Sequence, residues 1–289
     1  MELIKIREGI FYFKDSTNLP FFEAGSFFYL FDSPIDKDKS KKVKRIIEEN
    51  RFNIKGLIFS HHHADHMGGG NFLKNSFELK TYSSKEEKIF LENPFLEPIY
   101  LSNGGKPPKE FLNKWMLGES VKIDEFIENL NLENIKILEL SGHSIGMIGI
   151  KLDDIIFSSD TFFSVEICNK YIVPYFYSYK NFLGKMNYIK TLDFNYIIPS
   201  HGELMNKDDA LKVIDYNIKR LIEIKERVFK IIKEPKSIDE IMRNLNLKIE
   251  SIVVSYLIKS SILNLLHEAK DDGEVEASIK QGIVIFNKI

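Results

Sequence analysis

The stretch Leu57-Ile58-Phe59-Ser60-His61-His62-His63-Ala64-Asp65-His66-Met67-Gly68-Gly69-Gly70 decides how the rest of the chain is read. A short apolar run stops at Ser60, four imidazoles and a carboxylate follow within six residues, and three glycines close the segment. Written as H-x-H-x-D-H, it offers His61, His63, Asp65 and His66 as metal ligands. An extended strand would put His61, His63 and Asp65 on one side and His66 on the other, and an α-helix would scatter them. A turn beyond a strand end lets all four converge, and glycines there permit close backbone approach. Imidazoles with a single carboxylate suit zinc or iron, whereas calcium and magnesium prefer all-oxygen shells. The competing reading is a solvated histidine-rich loop, which composition alone can produce.

The segment's neighbours point to a layered α/β fold. Residues 2–13 are rich in Ile, Phe and Tyr around Glu8-Gly9 and suggest a hairpin. Phe27–Phe31 is a further strand, ended by Asp32-Ser33-Pro34. Lys39–Asn50 carries Val43, Ile46 and Ile47 at helical spacing in a charged background, which predicts an amphipathic helix. Ile54–Ser60 then reads as a buried strand with the histidines at its carboxyl end, the usual place for a site in such folds. Residues 71–75 suggest a short helix and 78–82 a strand. Residues 90–118 hold Pro94, Pro98, Pro107, Pro108 and Gly104-Gly105 among Phe95, Tyr100, Phe111 and Trp115, which suggests an ordered excursion without regular elements.

Three more times an apolar run ends in a candidate ligand. Ile135–Leu140 leads into Ser141-Gly142-His143-Ser144, Ile155–Phe157 into Ser158-Ser159-Asp160-Thr161, and Tyr196–Pro199 into Ser200-His201-Gly202. Each alone reads as a turn or cap; together with the first segment they use five of the seven histidines. The remaining two are expected outside the cluster, His62 by alternation and His267 on a C-terminal helix. Residues 171–179 are unusually aromatic and fit either a cleft wall or a core strand.

Composition bounds the class. The chain has 289 residues, 44% hydrophobic and 28% charged, with a formal net charge of -2, so no global bias draws it to nucleic acid. The single cysteine, Cys168, allows no internal disulfide and fits a reducing compartment. The first residues lack a signal-peptide layout, and no apolar run approaches the roughly 18 residues of a membrane span. The expected location is cytoplasmic.

The character changes near Leu204. Residues 210–233 form a long amphipathic pattern stopped by Pro235, Ser237-Ile238-Asp239-Glu240 reads as a capping box, and 252–269 as one or two helices. Two short β segments around 275–277 and 283–286 follow. This is the order of a winged-helix-like module, giving expected domains at 1–205 and 206–289.

The set His61, His63, Asp65, His66, His143, Asp160 and His201 resembles the metallo-β-lactamase superfamily over roughly residues 1–205. The turns at His143, Asp160 and His201 match the family's G-H-S/T, G-D-x and P-G-H-G turns, with Ser159 where a glycine is usual. The early Asp-x-Gly turn of many members is Asp32-Ser33-Pro34 here. The resemblance implies a four-layer αββα sandwich with two metal ions, one on His61, His63 and His143, the other on Asp65, His66 and His201, with Asp160 bridging. Zinc is expected, with iron or manganese as substitutes, and a hydroxide between the ions would attack an ester, thioester or lactone. Asp65 is also the candidate catalytic proton acceptor.

Within that superfamily, glyoxalase II shares every ligand, and persulfide dioxygenases share H-x-H-x-D-H with one iron. A branch containing endoribonucleases carries a winged-helix tail. A nucleic-acid reader needs a basic stripe, but Ser255–Ala269 offers only Lys259. The expected partner is a small-molecule substrate, with the tail as a structural or homodimer module and no membrane contact.

Overall fold

A computed structural model describes residues 1–289. Packing divides the chain into two compact units. Unit 1 comprises Met1–Leu140, Ile145–Asp160 and Asp193–Lys207; unit 2 comprises Ser141–Ser144, Thr161–Leu192 and Asp208–Ile289. The last junction lies between Lys207 and Asp208, and 141–144 and 161–192 pack with the C-terminal helices.

Unit 1 opens with β1 (Glu2–Arg7) and β2 (Ile10–Lys14), then β3 (Leu19–Ala24), β4 (Phe27–Phe31), α1 (Lys37–Glu49) and β5 (Ile54–Ile58). After α2 (Ala64–Met67) and α3 (Gly70–Phe77) come β6 (Lys80–Ser83), α4 (Lys85–Glu92), α5 (Leu96–Leu101) and β7 (Glu125–Phe126). These strands form one sheet in chain order, antiparallel up to β4 and parallel from β4 to β7. β3 was not foreseen, because Pro20 interrupts its pattern; it sits near the strand start, where a missing N–H is tolerated. A second sheet is built from β8 (Ile135–Glu139), β9 (Ile148–Leu152), β10 (Ile155–Ser159), β11 (Tyr196–Pro199) and β12 (Met205–Asn206), in the order β12-β11-β10-β9-β8.

The strand sequences explain the layering. Alternate residues of the first sheet, Ile10, Tyr12, Phe22, Tyr29, Phe31 and Ile58, pack with Ile148, Ile150, Phe157 and Ile198 of the second. The opposite set, Phe13, Phe21, Leu30, Leu57 and Phe59, packs beneath Val43 and Ile47 of α1 and Leu73 of α3. Both faces are covered, so these strands read as continuous apolar runs. The expectation that 90–118 lacks regular elements is corrected by α5, which tolerates Pro98 because a helix's first turn needs no N–H partner.

Unit 2 holds α6 (Val165–Lys170), α7 (Tyr179–Thr191), α8 (Lys207–Ile231), β13 (Lys236–Ser237), α9 (Ile238–Asn244), α10 (Ile252–Asp271), β14 (Val275–Lys280) and β15 (Ile283–Lys288). α8 begins at Lys207, the last residue of unit 1. The capping box is formed: Ser237 Oγ accepts from Glu240 N at 3.3 Å, and Glu240 Oε2 accepts from Ser237 N at 2.8 Å. α10 is one continuous helix, and the three strands form a sheet in the order β13-β15-β14. Residues 172–178 are a loop rather than a core strand, with Phe176 buried and Tyr177 exposed. Asn217 of α8 pins the segment after β10, accepting from Phe163 N at 3.0 Å and donating to Phe163 O at 2.8 Å. No helix is long and apolar enough to cross a membrane.

The glycines after the histidines are required by packing beside α1. A Cβ on Gly69 would lie 1.9 Å from Ser40 Oγ and 2.8 Å from Asp36 O, and one on Gly68 would lie 2.1 Å from Ile35 O. Gly69→Ala is therefore expected to destabilise by about 1–3 kcal/mol through overpacking, read as a lowered urea midpoint; an unchanged midpoint would show that the contact relaxes freely.

Candidate metal centre

Parallel pairing sets the site. β4 and β5 pair Phe31 with Ile58, and β10 and β11 pair Ser159 with Pro199, so the carboxyl ends of each pair lie level. Just beyond them come Asp32, Ser60-His61, Asp160 and His201. Cross-bonds hold these ends: Asp32 N donates to Ile58 O at 2.7 Å, Ile148 N to Ser60 O at 3.1 Å, and Ser200 N to Ser159 O at 3.1 Å. Asn18 adds bonds from Nδ2 to Pro199 O at 3.1 Å and Gly202 O at 2.7 Å.

Of the seven residues singled out by sequence, unit 1 gathers His61, His63, Asp65, His66, Asp160 and His201. His61 Nε2 lies 3.0 Å from His63 Nδ1. His66 Nε2 lies 3.5 Å from Asp160 Oδ1 and 3.8 Å from Asp65 Oδ2, and His201 Nε2 lies 3.1 Å from Asp65 Oδ2 and 3.5 Å from Asp160 Oδ2. Donor atoms of His61, His66 and Asp160 fall within 4.8 Å of one another, as do those of Asp65, His66 and His201. α2 makes this convergence possible, because the chain turns into a helix at Ala64 and swings His66 back beneath His61. The seventh residue, His143, belongs to unit 2. There its Nδ1 contacts Tyr175 O at 3.0 Å, and its ring is flanked by Phe163, Tyr175 and Phe182.

In three of these imidazoles the nitrogen facing away from the cluster has a partner. Ser60 Oγ meets His61 Nδ1 at 2.9 Å, Asp32 Oδ2 meets His66 Nδ1 at 2.8 Å, and Ser16 O meets His201 Nδ1 at 2.8 Å. Such partners fix ring orientation and turn the other nitrogen towards the cluster. His66 Nε2 is buried and makes no hydrogen bond within the protein. Imidazoles and carboxylates aimed at one another around such an atom fit a divalent cation.

The profile described as "Metallo-beta-lactamase superfamily" matches residues 21–201, which contain this whole set. The chain belongs to the metallo-beta-lactamase superfamily. It is 26% identical over 253 residues to a hydroxyacylglutathione hydrolase of Blochmanniella pennsylvanica, covering 86% of this chain and 88% of that one. To hydroxyacylglutathione hydrolase GloC of Haemophilus influenzae it is 32% identical over 117 residues, 38% of this chain and 50% of that one. The chain thus spans half the length of the Haemophilus relative, and 42% of a Shewanella baltica hydroxyacylglutathione hydrolase. Among solved structures, a metallo-beta-lactamase family protein from Thermus thermophilus superposes with a TM-score of 0.72 at 14% identity over 99% of this chain and 100% of that one. A beta-lactamase domain protein from Burkholderia ambifaria gives a TM-score of 0.72 at 13% identity, over 100% and 94%. Both show the metallo-beta-lactamase fold.

Electrostatics in this metallo-beta-lactamase site follow from burial and crowding. Burial alone would raise the Asp65 carboxyl, but His66, His201 and His63 hold it well below the usual carboxylate range. Burial disfavours charge on His66, yet Asp65, Asp160 and Asp32 hold its imidazole well above the ordinary value. His201 is pushed up to about 9 by Asp160 and Asp65, against the opposing effect of burial.

Glu87 escaped the sequence, whereas Asp32 and Ser159 stand in turns already noted as departing from the family pattern. Asp32 is fully buried and accepts from Ser60 N at 2.6 Å and Ser60 Oγ at 2.7 Å. Its turn survives without the family's glycine: Asp32 adopts φ 66°, which aspartate tolerates, and Ser33 N donates to His66 O at 2.7 Å. Ser159 takes φ 50° where glycine is usual, and its Oγ donates to Ser60 Oγ at 2.9 Å. Glu87 had no functional reading; its Oε2 accepts from His62 N at 2.9 Å and contacts His62 Nδ1, while Oε1 accepts from Gly146 N at 2.8 Å. That clamp gives His62 the packing role expected of it. His62 is held above its ordinary value by Glu87 although burial opposes this. His267 is exposed, as expected.

Asp32→Ala would orphan Ser60 N–H, Ser60 O–H and His66 Nδ1 in a dry interior. It is expected to remove about 3 kcal/mol or more of unfolding free energy, measured by urea denaturation of the metal-free chain. A loss below about 1 kcal/mol, the cost of a single ordinary hydrogen bond, would contradict Asp32's role as the tie.

Proposed function

We propose that this chain is a metal-dependent hydrolase of a small ester, thioester or lactone. The observation that carries this reading is the convergence of four imidazoles and two carboxylates of unit 1, with His61, His66 and His201 each fixed through its outward nitrogen. Following the family pattern, His61 and His63 would help hold one divalent cation, to which that pattern also assigns His143; Asp65, His66 and His201 would hold a second, and Asp160 would serve both. Zinc suits three neutral imidazoles with a position left open. When bound, such cations polarise a substrate oxygen and lower the pKa of water towards ~7.

The chain's own residues supply the frame. Asp65 and Asp160 offset cationic charge, and Thr17 Oγ1 donates to Asp65 Oδ2 at 3.2 Å, steadying that carboxylate. A carboxylate bound to a cation is a poor proton acceptor, so Asp65 would act by binding rather than by taking a proton. The names of the relatives favour a thioester, the bond joining an acyl group to glutathione sulfur.

The helices and hairpin of unit 2 suit a winged-helix-like structural module better than a nucleic-acid reader. Lys259, the cation of α10's middle, is paired with Asp239 Oδ1 at 2.7 Å, and Asp271, Asp272 and Glu274 lead into β14.

Chelator-treated protein is expected to lose thioester hydrolysis and regain it with added Zn2+, and Asp160→Ala to lower kcat/KM about a thousandfold, ~4 kcal/mol of barrier. Full turnover of the metal-free chain would contradict the reading. A second expectation follows from His201. Cation binding must displace imidazole protons, so the apparent Zn2+ affinity should climb with pH up to about 9, measured by calorimetry across buffers. Affinity that levels near 6.5, the ordinary imidazole value, would show that the carboxylates do not hold these protons.

A further inference from the structure

Glu97 is a buried carboxylate outside the ligand set. It lies in α5, is 5% exposed, and no lysine or arginine is paired with it; His62 is the nearby group that favours its charge, and Asp65 and Glu87 are nearby carboxylates that oppose it. A carboxylate in this position costs folding free energy. Its Oε1 stands 3.6 Å from His63 Nε2, while His63 Nδ1 faces His61 Nε2 at 3.0 Å. The His63 ring therefore presents one nitrogen to the cluster and the other to Glu97. α5 is anchored beside the histidines by a second chain of contacts: Tyr100 packs edge-on against Phe90 at 5.8 Å, and Phe90 stacks on His62 at 4.4 Å.

We propose that Glu97 is a positioning residue for the metal centre, its carboxylate accepting the Nε2–H of His63 so that Nδ1 is turned to the cation. This rests on the hydrolase reading given above. An imidazole that binds through Nδ1 carries its proton on Nε2, and a carboxylate acceptor there fixes the ring and raises the basicity of the binding nitrogen. The separation of 3.6 Å between Glu97 Oε1 and His63 Nε2 is longer than a hydrogen bond, so a small closing of the carboxylate onto the ring would complete the bond when Nδ1 holds a cation. Glu97 thereby ties residues 90–118 to the site, and its unfavourable burial is offset by what it does for His63.

The test measures thermal stability of the metal-free chain and Zn2+ affinity, by competition with a chromophoric chelator, for wild type, Glu97→Leu and Glu97→Gln. Glu97→Leu is expected to leave the metal-free Tm unchanged or raised and to weaken one Zn2+ equivalent about 10- to 100-fold. Glu97→Gln, which keeps an acceptor oxygen, is expected to recover most of that loss. Unaltered Zn2+ affinity in the leucine variant overturns the proposal. So does a fallen Tm or failure to fold, which makes Glu97 structural. A third Zn2+ equivalent present in wild type and lost in both variants also overturns it, since donor atoms of His62, His63 and Glu97 lie within 4.8 Å of one another and would then be ligands themselves. Wild-type protein that binds no Zn2+ overturns the hydrolase reading as well, and so is distinguishable from failure of this inference alone.

Discussion

The buried carboxylate of Asp32 is the tie on which the site depends. It receives Ser60 N–H and Ser60 O–H at the end of β5 and meets His66 Nδ1 after α2, so one side chain sets both ends of the histidine segment. Ser60 in turn orients His61 and receives Ser159 Oγ from the second sheet, one residue before Asp160. Three of the proposed binding groups, His61, His66 and Asp160, are thus held by or beside a short chain of hydrogen bonds anchored in a buried interior. Such a network is strong when complete and costly when broken.

Above this tie, the architecture is a device for bringing strand ends level. Parallel pairing of β4 with β5 and of β10 with β11 places the turns after each strand along one edge. Strands buried on both faces hold those ends still, and the glycines after the histidines let α1 and the following segment close tightly around them. Opposite charges gathered at the edge then shape the titration: carboxylates raise His66 and His201, and imidazoles lower Asp65. A bound cation would have to displace the protons that these groups favour in the metal-free chain.

Much of this was legible in the sequence, for identifiable reasons. The candidate set was visible because its members follow apolar runs and carry side chains rarely clustered by chance. The capping box at Ser237 and the helical spacing of α1 and α8 are local, and local rules found them. What stayed hidden depends on partners far along the chain. Glu87 follows Ser84 by three residues, a pattern that reads as a helix cap; Ser84 does accept from Glu87 N, yet the carboxylate reaches His62 and Gly146 instead. Glu97 sits in a proline-rich stretch that offers no periodicity from which to infer burial. The packing of 161–192 with the C-terminal helices uses single polar residues far along the chain, among them Asn217 on Phe163, Ser261 on Phe176 N and Glu268 on Ser178.

The central claim is that these residues form a centre for two divalent cations. Its most direct test is the metal content of the full chain after loading with Zn2+ and exhaustive dialysis, by elemental analysis against protein concentration. The account predicts two zinc equivalents per chain, falling when Asp160 or His66 is replaced by alanine. One equivalent or none in the unaltered chain would contradict it.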